Sequence, residues 1–203
     1  MKEMKGMKGM KDNKGFTLVE MAIVLVIIGI ILAGVLKGEE LINNAKMKRT
    51  YSLYRETMAA YYTYLDKYQR FPGDDNTVAT RTGWVASVDG NNNGRIDGGV
   101  RFNCTGAEAA GEESCNALRH LRLANIIVGS GRTNPGDPYG GSVVIAYRSI
   151  NGKATNWIAM SNIPADVAES IDTQNDDGIY NSGSIRGSAD YTLGNPVILY
   201  FSP

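Results

Sequence analysis

The sequence holds little of the chemistry on which most enzymes and metal proteins depend. Its 203 residues include one histidine and two cysteines, which excludes a zinc site built from clustered cysteine and histidine ligands. The patterns Gly-x-Ser-x-Gly and His-Glu-x-x-His and a phosphate-binding glycine loop are also missing. The single histidine, His120, stands in Ala-Leu-Arg-His-Leu-Arg-Leu with no such motif beside it, and we expect it on a solvated helix face. We therefore expect no enzymatic activity.

The chain also lacks an excess of charge of either sign, with 21 basic and 21 acidic residues. Five of the lysines fall within the first fifteen residues, so the remainder is slightly acidic. A uniformly basic surface for nucleic acid is therefore not expected. A local basic patch for DNA or another anionic partner stays open as an alternative, and its candidate residues are Arg119, Arg122, Arg132 and Arg148.

Proline and glycine are scarce in the first third of the chain. All six prolines and 18 of the 24 glycines follow residue 70. This distribution predicts an uninterrupted N-terminal element and a turn-rich C-terminal one. The boundary falls at Phe71-Pro72-Gly73.

A long apolar run occupies residues 16–36 and is interrupted only by Thr17, Glu20 and two glycines. At 1.5 Å per residue it is long enough to cross a hydrocarbon core of about 30 Å. The lysines before it predict a cytoplasmic N-terminus, with the chain after Lys37 on the other side of the membrane. Cleavage after the run, near Ala33-Gly34, is a minor alternative. A carboxylate such as Glu20 is costly within a bilayer and usually has a partner there.

Residues 14–20, Lys-Gly-Phe-Thr-Leu-Val-Glu, follow a short basic leader and begin the apolar run. This arrangement resembles the N-terminus of type IV prepilins and of the pseudopilins of type II secretion. The resemblance implies that a prepilin peptidase cuts between Gly15 and Phe16 and methylates the new N-terminal residue. It also implies that the Glu20 carboxylate pairs with the α-amine of Phe16 in a neighbouring subunit, which neutralises both charges.

The resemblance further implies a structural role. We expect a subunit stored in the bacterial inner membrane and then packed with other pilin or pseudopilin subunits in a periplasmic or extracellular filament, either a type IV pilus or a secretion pseudopilus. The alternative is a minor pilin that acts as a tip adhesin or DNA-binding receptor. Many major pilins of the family have a proline where this sequence has Lys37, so the kink often found there is not expected.

Beyond the membrane segment, apolar residues recur at spacings of three and four and predict one helix that continues to Pro72. The stripe consists of Met47, Tyr51, Tyr54, Met58, Tyr61, Leu65 and Tyr68. Its single apolar face predicts a sheet that covers it. The expected organisation is a leader at 1–15, a membrane-spanning half-helix at 16–37, a protruding amphipathic half at 38–70 and a globular domain at 71–203.

The C-terminal region predicts an α+β domain with an antiparallel sheet packed on the long helix, which is also the architecture that the resemblance implies. Runs at 142–148 and 154–161 are β-rich and flank Asn151-Gly152, a hairpin signal, and residues 197–201 predict a further strand. Helices are predicted at 112–124 and 164–171, the second with Asn162 as its cap.

Cys104 and Cys115 enclose ten residues of small and acidic character. The predicted topology places them in an oxidising compartment, which favours a disulfide over the alternative of two free buried thiols. Such a bond would constrain the unfolded chain by about 3 kcal/mol in the loop-entropy account.

The segment 89–97 has the spacing of a calcium loop. Asp89, Asn91, Asn93, Arg95 and Asp97 occupy the odd positions, with Gly94 at position six. Val100 stands where a bidentate Glu belongs, so the set lacks a ligand, and a polar Asn/Gly turn is the alternative interpretation. A second acidic segment at 172–177 is open to the same two interpretations. The segments 71–76 and 183–186 resemble, more loosely, loops of some pilin-like proteins.

Overall fold

A computed structural model describes residue 15 and residues 17–84, 87–104 and 111–203. The chain divides into two compact units, Met1–Asn43 and Asn44–Pro203. We describe each unit by itself.

The first element is the helix α1, Leu18–Tyr68, which runs without interruption through Lys37. It ends before the predicted limit at Pro72, because Gln69 adopts a left-handed conformation with φ of 54°. In the part of α1 that lies in the first unit, the large apolar side chains are all exposed, from Leu18 to Ile42. Among the described residues, α1 is the one helix long and apolar enough to cross a membrane.

The second half of α1 buries one face, as its periodicity predicts. The most buried residues are Thr50, Thr57, Ala60, Tyr61 and Tyr64. Most of the predicted stripe lies partly buried at the edge of this face. The stripe therefore identifies the correct side of the helix. The buried face, however, is displaced from the stripe toward Thr50 and Thr57, whose hydroxyls donate to the backbone carbonyls one turn earlier.

The sheet has four antiparallel strands in the order β1-β2-β4-β3. They are β1 Val143–Ile150, β2 Lys153–Ile163, β3 Ile185–Gly187 and β4 Val197–Phe201. The predicted hairpin joins β1 to β2 through Asn151 and Gly152, whose φ angles of 47° and 84° match the turn that suits the twist of paired strands. The strand β3 was not predicted.

Two further helices complete the domain, α2 Glu113–Leu123 and α3 Ala165–Asn175. Both agree with the predicted helices, but the cap of α3 is wrong: Pro164 occupies that position, and the Asn162 side chain donates to the Tyr139 carbonyl instead. Short 3₁₀ turns lie at Val78–Thr80 and Tyr191–Leu193. The predicted α+β, pilin-like class is confirmed.

Buried clusters lie on both faces of the sheet. The larger one joins α1, α2, α3 and one sheet face, and includes Tyr64, Leu121, Ile158 and Phe201. The smaller one lies on the opposite face around Trp157. The predicted disulfide between Cys104 and Cys115 is present, with both cysteines buried and their Cα atoms 5.6 Å apart.

Candidate functional site

The start of α1 forms a capping box. The Glu20 Oε2 atom accepts hydrogen bonds from the Thr17 backbone N–H at 2.8 Å and from the Thr17 hydroxyl at 2.9 Å. In return the Thr17 hydroxyl oxygen accepts the Glu20 N–H at 3.2 Å. This reciprocal pair satisfies N–H groups that the first turn of a helix otherwise leaves without partners. The costly carboxylate therefore has a local partner within its own chain.

One residue, Phe16, separates the predicted scissile bond from this box. Gly15 is described, whereas Phe16 and the leader at 1–14 lie outside the described residues. A Cβ atom added at Gly15 would meet none of the described residues within 4 Å. The local fold therefore does not require glycine at this position, and any requirement for it has to come from a molecule that acts on the chain.

Three glycines follow in the apolar part of α1. Gly29, Gly34 and Gly38 each leave open space where a Cβ would stand. Glycine inside a helix costs roughly 1 kcal/mol relative to alanine, so these positions weaken α1 with no compensating contact among the described residues. Gly34 and Gly38 have the spacing at which small residues allow two membrane helices to approach closely.

The predicted calcium loop closes around two acidic side chains that come from outside it. The Asp74 carboxylate accepts the backbone N–H groups of Asn93 and Gly94, at 2.9 and 2.8 Å. The Glu113 carboxylate accepts those of Asn91 and Asp97, both at 2.9 Å. Asp74 and Glu113 are 1% and 2% exposed, so the loop binds two buried carboxylates through its own N–H groups.

The five predicted ligands do not converge on one point. The Asp89 carboxylate turns away and accepts the Ala79 N–H, and the Arg95 guanidinium lies over the Tyr147 ring at 4.7 Å. The other three do lie close together, because the side-chain amides of Asn91 and Asn93 both donate to Asp97. The oxygens of the two asparagines accept loop N–H groups two residues further on.

In this conformation the loop turns N–H donors toward its two acidic partners, whereas a calcium site turns oxygens inward. A bound ion would therefore have to replace several of these hydrogen bonds. Burial raises the pKa of Asp74 and of Glu113, and the nearby Asp97 raises both further. Calcium binding at the loop stays a prediction.

The residue next to Asp74 has a different role. Asp75 is fully buried and accepts hydrogen bonds from the Tyr64 hydroxyl at 2.7 Å and from Arg81 at 2.6 Å. Burial by itself raises the pKa of Asp75, but hydrogen bonds from Tyr64, Thr77 and Arg81 outweigh it and leave the pKa lowered. The Arg81 guanidinium also lies over the Tyr68 ring at 4.0 Å. Asp75 thus ties the segment after α1 to the buried face of that helix.

His120 joins this segment to α2, so the prediction of a solvated face is wrong. The side chain is fully buried, and its Nδ1 atom accepts the Gly73 N–H at 2.9 Å. The proton consequently resides on Nε2, which donates to the Val88 carbonyl at 3.0 Å. Burial lowers the pKa of His120 to about 4. The histidine is a neutral structural link between α2 and the segments on either side of the 3₁₀ turn.

The second acidic segment brings Asp172, Asp176 and Asp177 together. Each carboxylate already accepts hydrogen bonds from the protein. Asp172 accepts the Tyr191 hydroxyl, Asp176 accepts the Ser184 and Ile185 N–H groups, and Asp177 accepts the Ser182 hydroxyl. Like the first loop, this cluster is tied together by protein donors.

The arginines proposed as a basic patch are not equally accessible. Arg132 is 6% exposed, and Arg122 donates to the carbonyls of Gly131 and Thr133 at 3.0 and 2.7 Å. Arg148 is exposed on β1. Arg122 and Arg132 therefore belong to the packing of the domain more than to a surface.

Comparison with known protein families identifies residues 10–36 as a prokaryotic N-terminal methylation motif. The chain thus carries the type IV prepilin-like signature, as its sequence predicts. No curated protein and no solved structure matches the chain. The motif supports a type IV pilin-like or pseudopilin-like prepilin substrate, and its family is structural, not enzymatic. It implies processing by a peptidase and assembly with other pilin subunits, and with the apolar helix it fits a membrane-anchored precursor.

Proposed function

We propose that the chain is a pilin-like structural subunit of a type IV pilus or of a type II secretion pseudopilus. Prepilin peptidase cleaves it between Gly15 and Phe16, and the mature chain assembles by packing of its N-terminal helix. The observation that carries the proposal is the capping box of Thr17 and Glu20 at the start of a helix whose large apolar side chains are all exposed from Leu18 to Ile42.

The exposed apolar surface of α1 fits two successive environments, the membrane and then the filament. Side chains such as Leu25 and Ile30 are 67% and 69% exposed, and each apolar Å² removed from water contributes about 25 cal/mol. Before assembly the inner membrane covers this surface, with the N-terminus in the cytoplasm. In the periplasmic or extracellular filament, the helices of other subunits cover it, and Gly34 and Gly38 allow these helices to approach closely.

Glu20 supports the assembly step. Both hydrogen bonds from Thr17 end on Oε2, and no donor within the described residues reaches Oε1. After cleavage, the α-amine of Phe16 in a neighbouring subunit can pair with this second oxygen while the capping box stays intact. Pairing neutralises both charges before they enter the apolar filament core, where an unpaired charge is costly.

Cleavage is tested by the mass of the processed chain. Wild type expressed with a prepilin peptidase should begin at Phe16 and carry a methyl group on its N-terminal amine. Gly15→Val should remain uncleaved. It should still fold and insert normally, because a Cβ at residue 15 meets none of the described residues within 4 Å.

Gly38→Ala is the matched control, since it also adds a side chain in open space but lies far from the bond. It should be processed like wild type. Intact-mass spectra in which the wild-type protein starts at Met1, or after Ala33, would contradict the proposal.

A further inference from the structure

A groove of about 400 Å³ opens in the second unit between α1, the loop at 89–97 and the β1–β2 hairpin. Its size lies within the range of ordinary ligand sites. Four aromatic rings line it, those of Tyr61, Tyr62, Phe71 and Tyr147. None of its described lining residues has an acidic or basic side chain. The groove therefore suits an uncharged ligand.

The aromatic walls are held in place by contacts with one another and with Arg95. The Tyr61 and Phe71 rings stack with centroids 5.2 Å apart, and the Tyr62 ring meets Tyr61 edge-on at 5.3 Å. The Tyr147 ring carries the Arg95 guanidinium at 4.7 Å. Tyr61 is 3% exposed, so it supports the Phe71 and Tyr62 rings, whose planes lie nearly at right angles and present the apolar surface. Such fixed surfaces lose little conformational freedom when a ligand binds.

Polar groups lie between the rings. The buried Asn156 amide donates to the Tyr61 hydroxyl and the Gly94 carbonyl, both at 3.2 Å. The Tyr61 hydroxyl thereby serves as an acceptor, and burial raises its pKa, so it keeps a proton to donate. Within the described residues, the hydroxyls of Tyr62, Tyr147 and Thr155 have no hydrogen-bond partner.

We propose that this groove binds a neutral oligosaccharide. A sugar ring presents a flat face of C–H groups, which packs on an aromatic ring, and a rim of hydroxyls, which both donate and accept hydrogen bonds. The groove offers that combination of aromatic faces and hydroxyls, and none of its described lining residues has an acidic or basic side chain. The proposal is independent of cleavage and filament assembly, and it supplies a ligand class for the adhesin alternative.

The test uses the full chain in lipid nanodiscs, which avoids detergents with sugar headgroups. The probes are chitotetraose, cellotetraose, maltotetraose and mannotetraose, each titrated to about tenfold above the expected Kd of about 1 mM. Binding is read from saturation transfer to the sugar protons. We expect at least one tetrasaccharide to bind, and the monosaccharides to bind more weakly.

Variants of the lining assign the site. Tyr62 is 46% exposed, so Tyr62→Ala should fold normally and weaken binding at least tenfold. Tyr62→Phe should retain most of the binding. Thr155→Val removes one hydroxyl from the groove with little change in the shape of the side chain. Leu193→Ala, an exposed apolar side chain that does not line the groove, is the control.

The proposal is overturned if no tetrasaccharide binds at the highest concentration. It is equally overturned if Tyr62→Ala and Thr155→Val both bind as wild type does, which would place binding elsewhere. A decaproline peptide is included because aromatic grooves also bind extended proline-rich chains. Saturation of the groove by that peptide, with no sugar bound, would contradict the carbohydrate assignment.

Discussion

The two halves of α1 belong to one continuous helix, but their apolar side chains have opposite environments. From residue 44 onward, the buried face of α1 is covered by the sheet, α2 and α3 of the same chain. From Leu18 to Asn43, the apolar side chains are exposed and the glycines leave open space. One half is completed by its own chain, whereas the apolar side chains of the other are left uncovered by the described residues.

Two carboxylates in first helical turns show the same contrast. Glu113, in the first turn of α2, is buried and receives N–H groups from residues 16 and 22 positions away. Glu20, in the first turn of α1, is exposed and is bonded only to Thr17 among the described residues. A buried acid bonded to residues distant in sequence is typical of a contact within the folded domain. An exposed acid in an apolar helix is typical of an interface.

The largest expected effect is a loss of folding stability in the second unit, from a substitution at Gly73. Its φ is 93°, and a Cβ there would overlap the Glu113 carbonyl oxygen. Gly73→Ala should cost about 3 to 5 kcal/mol, since the left-handed conformation and the overlap both oppose it. The free energy of unfolding is measured by denaturant titration of residues 44–203, which contain both buried clusters.

Gly83→Ala is the matched control. Gly83 has a φ of 85°, but no atom of the described part of the chain lies within 4 Å of its Cβ position. Gly83→Ala should lower the free energy of unfolding only by the cost of the left-handed conformation, about 1 to 2 kcal/mol. Equal losses at the two positions would show that the contact between Gly73 and α2 contributes nothing.

A somewhat smaller effect is expected from acid, through His120. Its pKa falls from 6.5 to about 4 on folding. Above pH 6.5 both states are neutral, and between pH 6.5 and 4 the unfolded state takes up a proton that the folded state does not. Folding stability should therefore fall by about 3 kcal/mol between pH 7 and pH 4 from this group.

Other groups oppose that trend, because burial raises the pKa of Asp74, Glu113 and Asp172. These acids bind protons more readily when folded, so they stabilise the fold as the pH falls. Comparison with His120→Gln cancels their contribution. The stability advantage of wild type over His120→Gln should shrink toward pH 4. An advantage that does not change with pH would refute the neutral, buried histidine.

The smallest effect is expected from calcium at the loop of residues 89–97. With the loop bonded to Asp74 and Glu113, affinity should lie near 10⁻³ M, roughly that of weak extracellular sites. At tenfold excess the ion would stabilise the domain by about 1.4 kcal/mol, or roughly 3 to 6 °C in melting temperature. Magnesium at equal ionic strength and the variant Asp97→Asn are the controls. A shift that magnesium reproduces, or that survives in Asp97→Asn, would exclude calcium at this loop.

Local chemistry made much of the fold predictable. Helical spacing identified α1, Asn151-Gly152 identified the hairpin, and the ten-residue loop between Cys104 and Cys115 identified the disulfide. The motif at residues 10–36 is likewise contiguous. Each of these features depends on residues that are neighbours in sequence, so each leaves a readable pattern.

The remainder depends on contacts between distant residues. Glu113 meets a loop about twenty residues earlier, and His120 meets Gly73 across 47 positions, so neither contact leaves a local pattern. The strand β3 has three residues, too few for an alternating pattern. The adjacent acids Asp74 and Asp75 after Pro72-Gly73 were the available signal, because paired acids in a tight turn often bind backbone N–H groups.

The central claim, that other subunits cover the first half of α1 in a filament, is tested most directly by competition at Glu20. Wild type and a Glu20 variant are expressed together in cells that form filaments. Quantitative mass spectrometry then compares their ratio in sheared filaments with their ratio in the membrane.

Glu20→Gln keeps a side chain that can close the capping box but removes the charge, whereas Glu20→Ala removes both. If the charge pairs with the amine of Phe16 in another subunit, both variants should be inserted and cleaved but strongly depleted in filaments. Incorporation of Glu20→Gln and Glu20→Ala at the wild-type ratio would contradict the account.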